Sequence, residues 1–479
     1  MSAVRLSDLV RRDLAVDPMI AGVTADSRRV RPGWLFAALP GANADGARFV
    51  PDALAAGAAA VLAGQSLPDF AAPVVRTHDP RRAYALASAA FWGVQPGTCV
   101  AVTGTNGKTS VATFCRQIFA CLGRVSASMG TLGVTAGDEQ LTPPGLTTPD
   151  AADLAEMLAD LASRGVTHLA LEASSHGIDQ RRLDGVDLVA AGFLNLTQDH
   201  LDYHQTMAAY RDAKLRLFDT LLPRGATAVL NADSEAFPAF ASAVVSGGRG
   251  LISVGSMGQG LTLTSRQLIA DGQNLVISGW GRSYEVRLPL AGAFQASNAL
   301  IAAGLCIAAG EAPHLVLPAL EDLAGAPGRL QRVGAGPRGG EVYVDYAHTP
   351  DGLRTVLEAL RPHAGGRLIV VFGAGGDRDR SKRPAMGAIA AAGADIAIVT
   401  DDNPRGENPA AIRAEIRAGA AGLGEIGDRR LAIRAAVAMM RAGDVLVIAG
   451  KGHERGQAIG SEVLAFDDVE EARAALGDD

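Results

Sequence analysis

Seven residues constrain the fold of this chain more than any other feature. They are Gly104-Thr-Asn-Gly-Lys-Thr-Ser, preceded by the apolar run Cys99–Thr103 and followed by Val111-Ala-Thr-Phe-Cys-Arg-Gln-Ile. A short strand, a glycine turn and a helix in that order set backbone N–H groups at a helix N-terminus, where phosphate oxygens can meet them. Gly104, Thr105, Asn106, Gly107 and Ser110 build the loop, Lys108 offers a point charge and the Thr109 hydroxyl can ligate magnesium. ATP with Mg2+ is the expected ligand. The complete eight-residue phosphate-loop signature needs glycine where this chain has Val102, so the match is to its second half. An ordinary glycine turn is the competing reading, and the loop alone names no reaction.

Such a loop belongs in an α/β fold, and the rest of the chain agrees. Apolar runs alternate with Ala/Leu-rich helical stretches, as in strands joined by crossover helices. The strands expected are Cys99–Thr103, Thr167–Leu171, Leu188–Leu194 and Ala226–Leu230, then Val342–Asp345, Leu368–Phe372, Asp395–Thr400 and Val445–Ala449. Between the two groups, Leu251–Leu290 alternates polar and apolar residues and predicts antiparallel strands appended to the middle domain. The 479 residues divide into about three domains of roughly 150 each. Turn-rich segments near Gly93 and before Val333 put the domains at 1–93, 94–332 and 333–479, the central one a phosphate-loop ATPase domain with a mostly parallel sheet.

Composition removes several function classes. A formal charge of -7 gives no basic footprint for nucleic acid. No segment has the roughly 18 uninterrupted apolar residues of a membrane span, and the N-terminus lacks a secretory apolar core. The expectation is a cytoplasmic protein. Cys99, Cys115, Cys121 and Cys306 show neither zinc-site spacing nor disulfide density and read as reduced core thiols.

Chemistry-bearing residues follow the strands. Glu172 opens Glu172-Ala-Ser-Ser-His-Gly just past Thr167–Leu171, at the strand end where open α/β sheets bind ligands. Magnesium prefers oxygen ligands, so this carboxylate with Thr109 and phosphates could hold it; a solvated loop glutamate is the alternative. The cluster Asn195-Leu-Thr-Gln-Asp-His-Leu-Asp-Tyr-His follows the next strand, and either His200 or His204 could be a ligand or a plain loop histidine. Met207, Tyr210, Lys214 and Leu217 share one helix face, which places Lys214 in an apolar stripe. It is either a snorkelling cation or a neutral amine able to capture carbon dioxide as a carbamate, an anionic metal ligand. Further along, Gly373-Ala-Gly-Gly-Asp-Arg, Asp401-Asp-Asn-Pro-Arg and Gly450-Lys-Gly-His-Glu each follow an apolar strand. Their convergence would join arginines suited to carboxylates with acidic groups suited to an ammonium. Mutual pairing in solvated loops is the plainer alternative.

Taken in order, Gly104-Thr-Asn-Gly-Lys-Thr, Glu172-Ala-Ser-Ser-His-Gly, Asp199-His-Leu-Asp-Tyr-His, Lys214, Asp345-Tyr-Ala-His-Thr-Pro-Asp, Gly373-Ala-Gly-Gly-Asp-Arg-Asp, Asp402-Asn-Pro-Arg and Gly450-Lys-Gly-His-Glu resemble the motifs of Mur ligases along the whole chain. The likeness is closest to the member that adds diaminopimelate. It implies an N-terminal domain for the UDP part of the substrate, a central ATPase domain and a C-terminal Rossmann-like domain for the amino acid. It also implies that Lys214 is the carbamylated lysine and His200 the metal-binding histidine, beside Glu172 and Thr109. Nucleotide-sugar contacts map onto Ser27, Asn43, Thr147, Thr148, Ser174, Gln180 and Arg182, and nucleoside contacts onto Asn298, Arg329 and Asp345. Gln295 stands where the family usually has asparagine, and Leu146 where some members do.

The activity so implied joins meso-diaminopimelate to UDP-N-acetylmuramoyl-L-alanyl-D-glutamate through an acyl phosphate, with the enzyme a monomer. Lys108 and Mg2+ would offset charge on the transferring phosphoryl group. In the C-terminal domain Arg405 suits the distal carboxylate of diaminopimelate, with Arg378 a further contact. Asp402, Asn403 and Glu454 suit its distal ammonium, alongside Pro404 and Gly450. A folylpolyglutamate synthetase or a lysine-adding Mur ligase leaves Asp402-Asn-Pro-Arg unexplained, and a nucleotide-gated binding protein needs no Glu172, His200 and Lys214 set.

Overall fold

Strands buried on both faces cannot alternate polar and apolar residues, and the central runs of this chain do not. In the computed structural model, which describes residues 3–41, 45–269 and 271–477, Thr98–Thr103 lies between the parallel strands His168–Glu172 and Leu188–Phe193. Ser126–Gly130 flanks the first of these, and Thr227–Asn231 and Gly250–Gly255 continue past the second, all parallel. Gly133–Ala136 and Glu139–Thr142 add an antiparallel edge. Helices Lys108–Cys121 and Ala151–Ser163 are crossovers of this sheet. A smaller parallel sheet precedes it, of Gly22–Thr24, Trp34–Ala38, Ala60–Gly64 and Val74–Thr77. Helix Pro80–Trp92 covers that sheet, with Tyr84 and Ala87 sharing its core with Ala151 and Ala152. Gly93 ends this helix with a left-handed φ of 76°, a conformation only glycine adopts cheaply.

The third sheet runs Gln331–Ala335, Glu341–Asp345, Val445–Ala449, Leu368–Phe372, Ile396–Val399 and Gly424–Glu425, parallel except for its first strand. Its alternate residues serve two cores. Tyr343, Val370, Phe372 and Val447 pack on one face, and Val342, Val344, Ile369, Val371 and Ile448 on the other. That division is the mark of a doubly wound sheet with helices on both sides. The architecture is therefore α/β with three domains, a central phosphate-loop domain and a C-terminal Rossmann-like domain.

By compactness the chain forms two units, Met1–Val254 with Gly304–Ala312, and Gly255–Ala303 with Pro313–Asp479. The antiparallel strands Leu261–Ile269, Gly272–Gly279 and Arg282–Leu288 are present as expected, but they fall in the second unit. Three further readings need correction. Gly250–Gly255 is a parallel strand and not part of the antiparallel ribbon, because it pairs along Thr227–Asn231. Glu172 is the last residue of its strand, not a loop residue. Cys121 is exposed at the end of its helix, while Cys99, Cys115 and Cys306 are buried thiols. No helix among the described residues is long and apolar enough to cross a membrane.

Candidate active site

The strand order brings three loops of the first unit side by side. The loop after Thr103 is flanked by Glu172 on one strand and by the Asn195 segment on the other, because their strands are its neighbours. Asn195 Oδ1 accepts from the backbone N–H of Asn106 at 2.9 Å, and its amide donates to the Asn106 carbonyl at 3.2 Å. Thr105 Oγ1 donates to the Thr197 carbonyl and accepts from the Thr197 N–H. Gly107 turns at φ 91° into helix Lys108–Cys121. Lys108 Nζ donates to the carbonyls of Gly104 and Thr105, each at 2.8 Å, and Thr109 and Ser110 are buried in the first turn. The sequence-predicted loop residues Gly104 to Ser110 thus form one strand-to-helix turn.

Lys214 comes to the same loop from helix Met207–Arg216. Arg216 anchors that helix through Asp184 at 2.8 and 2.5 Å and through the Ile178 carbonyl. Lys214 is 1% exposed. Its Nζ donates to Gly104 O at 2.9 Å and lies 4.4 Å from the Tyr210 ring centre. Burial, with the Lys108 charge nearby, holds its amine well below the usual lysine value. A snorkelling cation is excluded by that burial, although Met207, expected beside it in the stripe, is exposed.

Glu172 is 3% exposed. Its Oε1 accepts from the Thr131 N–H at 2.9 Å and its Oε2 from the Thr131 hydroxyl at 3.4 Å. Gly130 makes room for it, since a Cβ there would meet Oε1 at 2.0 Å. The Thr131 hydroxyl is 2.9 Å from that of Thr147. Thr148 donates to the Glu172 carbonyl at 2.9 Å and accepts from Ser174 N and Oγ, each at 3.0 Å. Arg182 donates to Thr148 O at 2.6 Å and to Gln180 Oε1 at 2.7 Å. Thr147, Thr148, Ser174, Gln180 and Arg182, scattered in sequence, are therefore one connected network around Glu172. Thr131 was not singled out from sequence. Its signal is Gly130-Thr-Leu-Gly, a glycine turn at a strand's carboxyl end.

The histidines cluster nearby. His176 lies 4.9 Å from His200 and 5.5 Å from His204, ring centre to ring centre, with Tyr203 at 4.1 Å. Burial lowers the affinity of His176 and His204 for a proton. His200 is exposed, has a left-handed φ of 53° and starts the short helix Leu201–His204. His204 is buried, with no hydrogen-bond partner for Nε2 among the described residues. Ser27, half-buried, lies apart from the Glu172 network in a short turn capped by Asp26. Asn43 lies outside the described residues.

The second unit carries the remaining residues in two groups. Asn298, on helix Ala293–Ala308, donates to Gln295 Oε1 at 2.9 Å, and Gln295 donates to the Arg329 carbonyl at 3.5 Å. Asp345 accepts from Leu330 N and Ala347 N at 2.7 and 2.8 Å, and its burial raises its carboxyl above the usual range against the pull of Arg329. Arg329 stacks 5.0 Å from the Tyr346 ring, which also faces His453. Burial and Arg329 hold His453 down to about 4. Gln295, set aside because it departs from the family's asparagine, is fully buried and links Asn298 to Arg329.

In the other group, the loops after Phe372, Val399 and Ala449 meet at adjacent strand ends. Gly376 N donates to Asn403 O at 2.8 Å, and Arg405 Nη1 to Gly376 O at 2.9 Å. Arg405 has a left-handed φ of 49°. Its main chain is pinned by Ala458 O and Gly460 N, in the hairpin Gly456–Ile459 and Glu462–Ala465. Asn403 Nδ2 donates to Glu454 Oε2 at 2.9 Å. Asp402, Asn403 and Pro404 are buried, Arg405 is half-buried and Arg378 is exposed. A Cβ on Gly450 would stand 3.0 Å from Asp402 Oδ2. Lys451, quoted within its motif but given no role, sits fully buried among Asp402, Asn403 and Glu454.

Three family models match in chain order: Mur ligase family, catalytic domain, over residues 19–90; Mur ligase middle domain, over 102–306; and Mur ligase, glutamate ligase domain, over 328–452. A UDP-N-acetylmuramoyl-L-alanyl-D-glutamate–2,6-diaminopimelate ligase of Caulobacter vibrioides is 69% identical over 478 residues, spanning 98% of both chains. The chain belongs to the Mur ligase family. As such it is an enzyme, an ATP-dependent carboxylate–amine ligase. The ligase of the same designation from Mesorhizobium japonicum is 53% identical, with 96% of each chain covered. A solved structure of a UDP-N-acetylmuramoyl-L-alanyl-D-glutamate–2,6-diaminopimelate ligase superposes with a TM-score of 0.77 at 34% identity, covering 100% of this chain and 99% of that one.

Proposed function

We propose that this Mur ligase adds meso-diaminopimelate to UDP-N-acetylmuramoyl-L-alanyl-D-glutamate in peptidoglycan precursor synthesis. The observation that carries the reading is the crevice of the second unit, where Arg405 stands with Asn403, Asp402 and Glu454 on loops hydrogen-bonded to one another. An amino acid whose far end bears both a carboxylate and an ammonium needs such a mixed set. Lysine has no distal carboxylate and would leave Arg405 without its partner.

The γ-phosphoryl group of ATP passes to the D-glutamate side-chain carboxylate, releasing ADP and giving an acyl phosphate. The amine of diaminopimelate attacks the acyl carbon, phosphate leaves, and the amine loses a proton. Activation is needed because a carboxylate resists nucleophiles. Gly104 to Ser110 suit the phosphates, and Asn298, Arg329 and Asp345 keep the nucleoside role that the family resemblance implies. Ser27, Asn43, Thr147, Thr148, Ser174, Gln180 and Arg182 take the nucleotide sugar.

Magnesium fits the donors present: the Thr109 hydroxyl, the Glu172 carboxylate in its Gly130 cradle, His200, and Lys214 once carbamylated. Among the described residues no three His, Cys, Asp or Glu side chains group to hold an ion, and this set has two residues of those types, so the carbamate would supply a further anion. When bound, the ion offsets charge on the transferring phosphoryl group. The low proton affinity of buried Lys214 supports carbamylation, since only a neutral amine captures carbon dioxide. The same reading assigns residues 1–93 to the UDP part, 94–332 to ATP and 333–479 to the amino acid, in a cytoplasmic monomer.

Phosphate release tests this. It should require ATP, the muropeptide and diaminopimelate together, with lysine a poor substitute. Release without the amino acid, or equal use of lysine, would defeat the proposal.

A further inference from the structure

Lys451 has none of the roles above, yet it is a fully buried cation beside Asp402, Asn403 and Glu454. Its side chain is 0% exposed, and its Nζ donates to Asn403 Oδ1 at 2.9 Å and to the Gly456 carbonyl at 2.6 Å. Asp402 Oδ1 and Glu454 Oε2 each lie 3.6 Å from it. An ammonium taken out of water persists only where acceptors and anions surround it.

This contact fixes the amide of Asn403. Its oxygen accepts from Lys451 Nζ and from the Ala458 N–H at 3.0 Å. Both partners are pure donors, so the flipped amide would point its own N–H groups at them. The oxygen is thereby occupied and the amide nitrogen turns toward Glu454, at 2.9 Å. Asn403 consequently cannot serve as the ammonium acceptor that the sequence suggested, and offers a donor instead. Asp402 Oδ1 is buried and accepts no hydrogen bond among the described residues, with the Lys451 ammonium 3.6 Å away.

We propose that Lys451 is a positioning residue for amino-acid selection: it orients Asn403 as a donor toward the crevice. This rests on the diaminopimelate reading. Lys451→Met keeps the apolar stem and removes the charge and the donors, freeing Asn403 to turn.

The test is steady-state kinetics of the full-length enzyme with diaminopimelate and with lysine. Lys451→Met should raise the Michaelis constant for diaminopimelate by about 10-fold or more, the scale of a lost charged hydrogen bond. Constants for ATP and the muropeptide should hold, and the preference over lysine should narrow. An unchanged constant for diaminopimelate would overturn the role, as would a uniform fall in every parameter with a lowered melting temperature. Should Lys451→Met not fold, Asn403→Asp decides: it keeps the acceptor for Lys451 and Ala458 but replaces the donor with an anion facing Glu454. It should weaken diaminopimelate more than lysine, and wild-type behaviour would overturn the proposal. A wild-type enzyme that ignores diaminopimelate sinks the substrate reading; one that uses it while both variants match it sinks the role of Lys451.

Discussion

The side-chain nitrogen of Lys214 donates to the carbonyl oxygen of Gly104 at 2.9 Å, so a buried amine from a distant helix touches the first glycine of the phosphate loop. Removing it should abolish turnover. Lys214→Ala should be inactive and regain part of its activity in added short-chain carboxylate, which can occupy the space of a carbamate. A fully active Lys214→Ala would end the carbamate hypothesis.

Lys108 reaches the same carbonyl from within the loop, at 2.8 Å. Lys108→Ala should lower turnover by at least about 100-fold, the scale of losing one preorganised charge-stabilising donor. Its side chain is half-buried, and any change in melting temperature should be small beside the loss of turnover. Near wild-type turnover would contradict the phosphoryl-transfer role.

A test of the Glu172 cradle is Gly130→Ala. The added methyl collides with Oε1 and must push the carboxylate aside. Activity should fall while the magnesium concentration needed for half-maximal rate rises. If magnesium dependence is unaltered, Glu172 is not a ligand.

Arg405 predicts selectivity. Arg405→Ala should raise the Michaelis constant for diaminopimelate steeply, by an equivalent of about 2–5 kcal/mol for a truncated desolvated charge pair. ATP and muropeptide constants should barely move, and discrimination against lysine should shrink. Equal weakening of both amino acids would make Arg405 structural.

Glu407 gives a pH prediction. Its hydrogen bonds from Arg383, then from the Asp377 N–H, lower its carboxyl to about 2. A depressed carboxylate stabilises the fold fully above its ordinary value of 4.5 and loses that contribution as pH falls toward about 2. The melting-temperature gap between wild type and Glu407→Gln should therefore be constant at neutral pH and close across that acidic window. A gap independent of pH would refute the linkage.

Much of this was legible in the chain. The parallel strands were readable because burial on both faces makes them continuous apolar runs, and the loops after them carried the charged residues. Lys214 was legible as an anomaly, a cation in an apolar stripe. Less was visible where function depends on who sits beside whom. Gly130 and Thr131 meet Glu172 only because Ser126–Gly130 pairs with His168–Glu172, and strand order is not written in local pattern. Glu172 is legible as a carboxylate at a strand's carboxyl end, but its burial, which separates it from a solvated loop glutamate, depends on those neighbours. The orientation of Asn403 is hidden for a similar reason: nothing in Asp402-Asn-Pro-Arg announces that its oxygen accepts from Lys451 and Ala458.

The pinning of Arg405 has a consequence for how such enzymes diversify. Its backbone N–H and carbonyl are both tied to the hairpin, through Ala458 and Gly460, and these ties involve no side chain. These main-chain ties hold the loop at 405, whereas at 403 it is the Asn403 side chain that meets the hairpin, through Ala458 N. A substitution at 405 would therefore change the charge shown to the amino acid while the main-chain ties to the hairpin remain, so this one position can vary without rebuilding the domain.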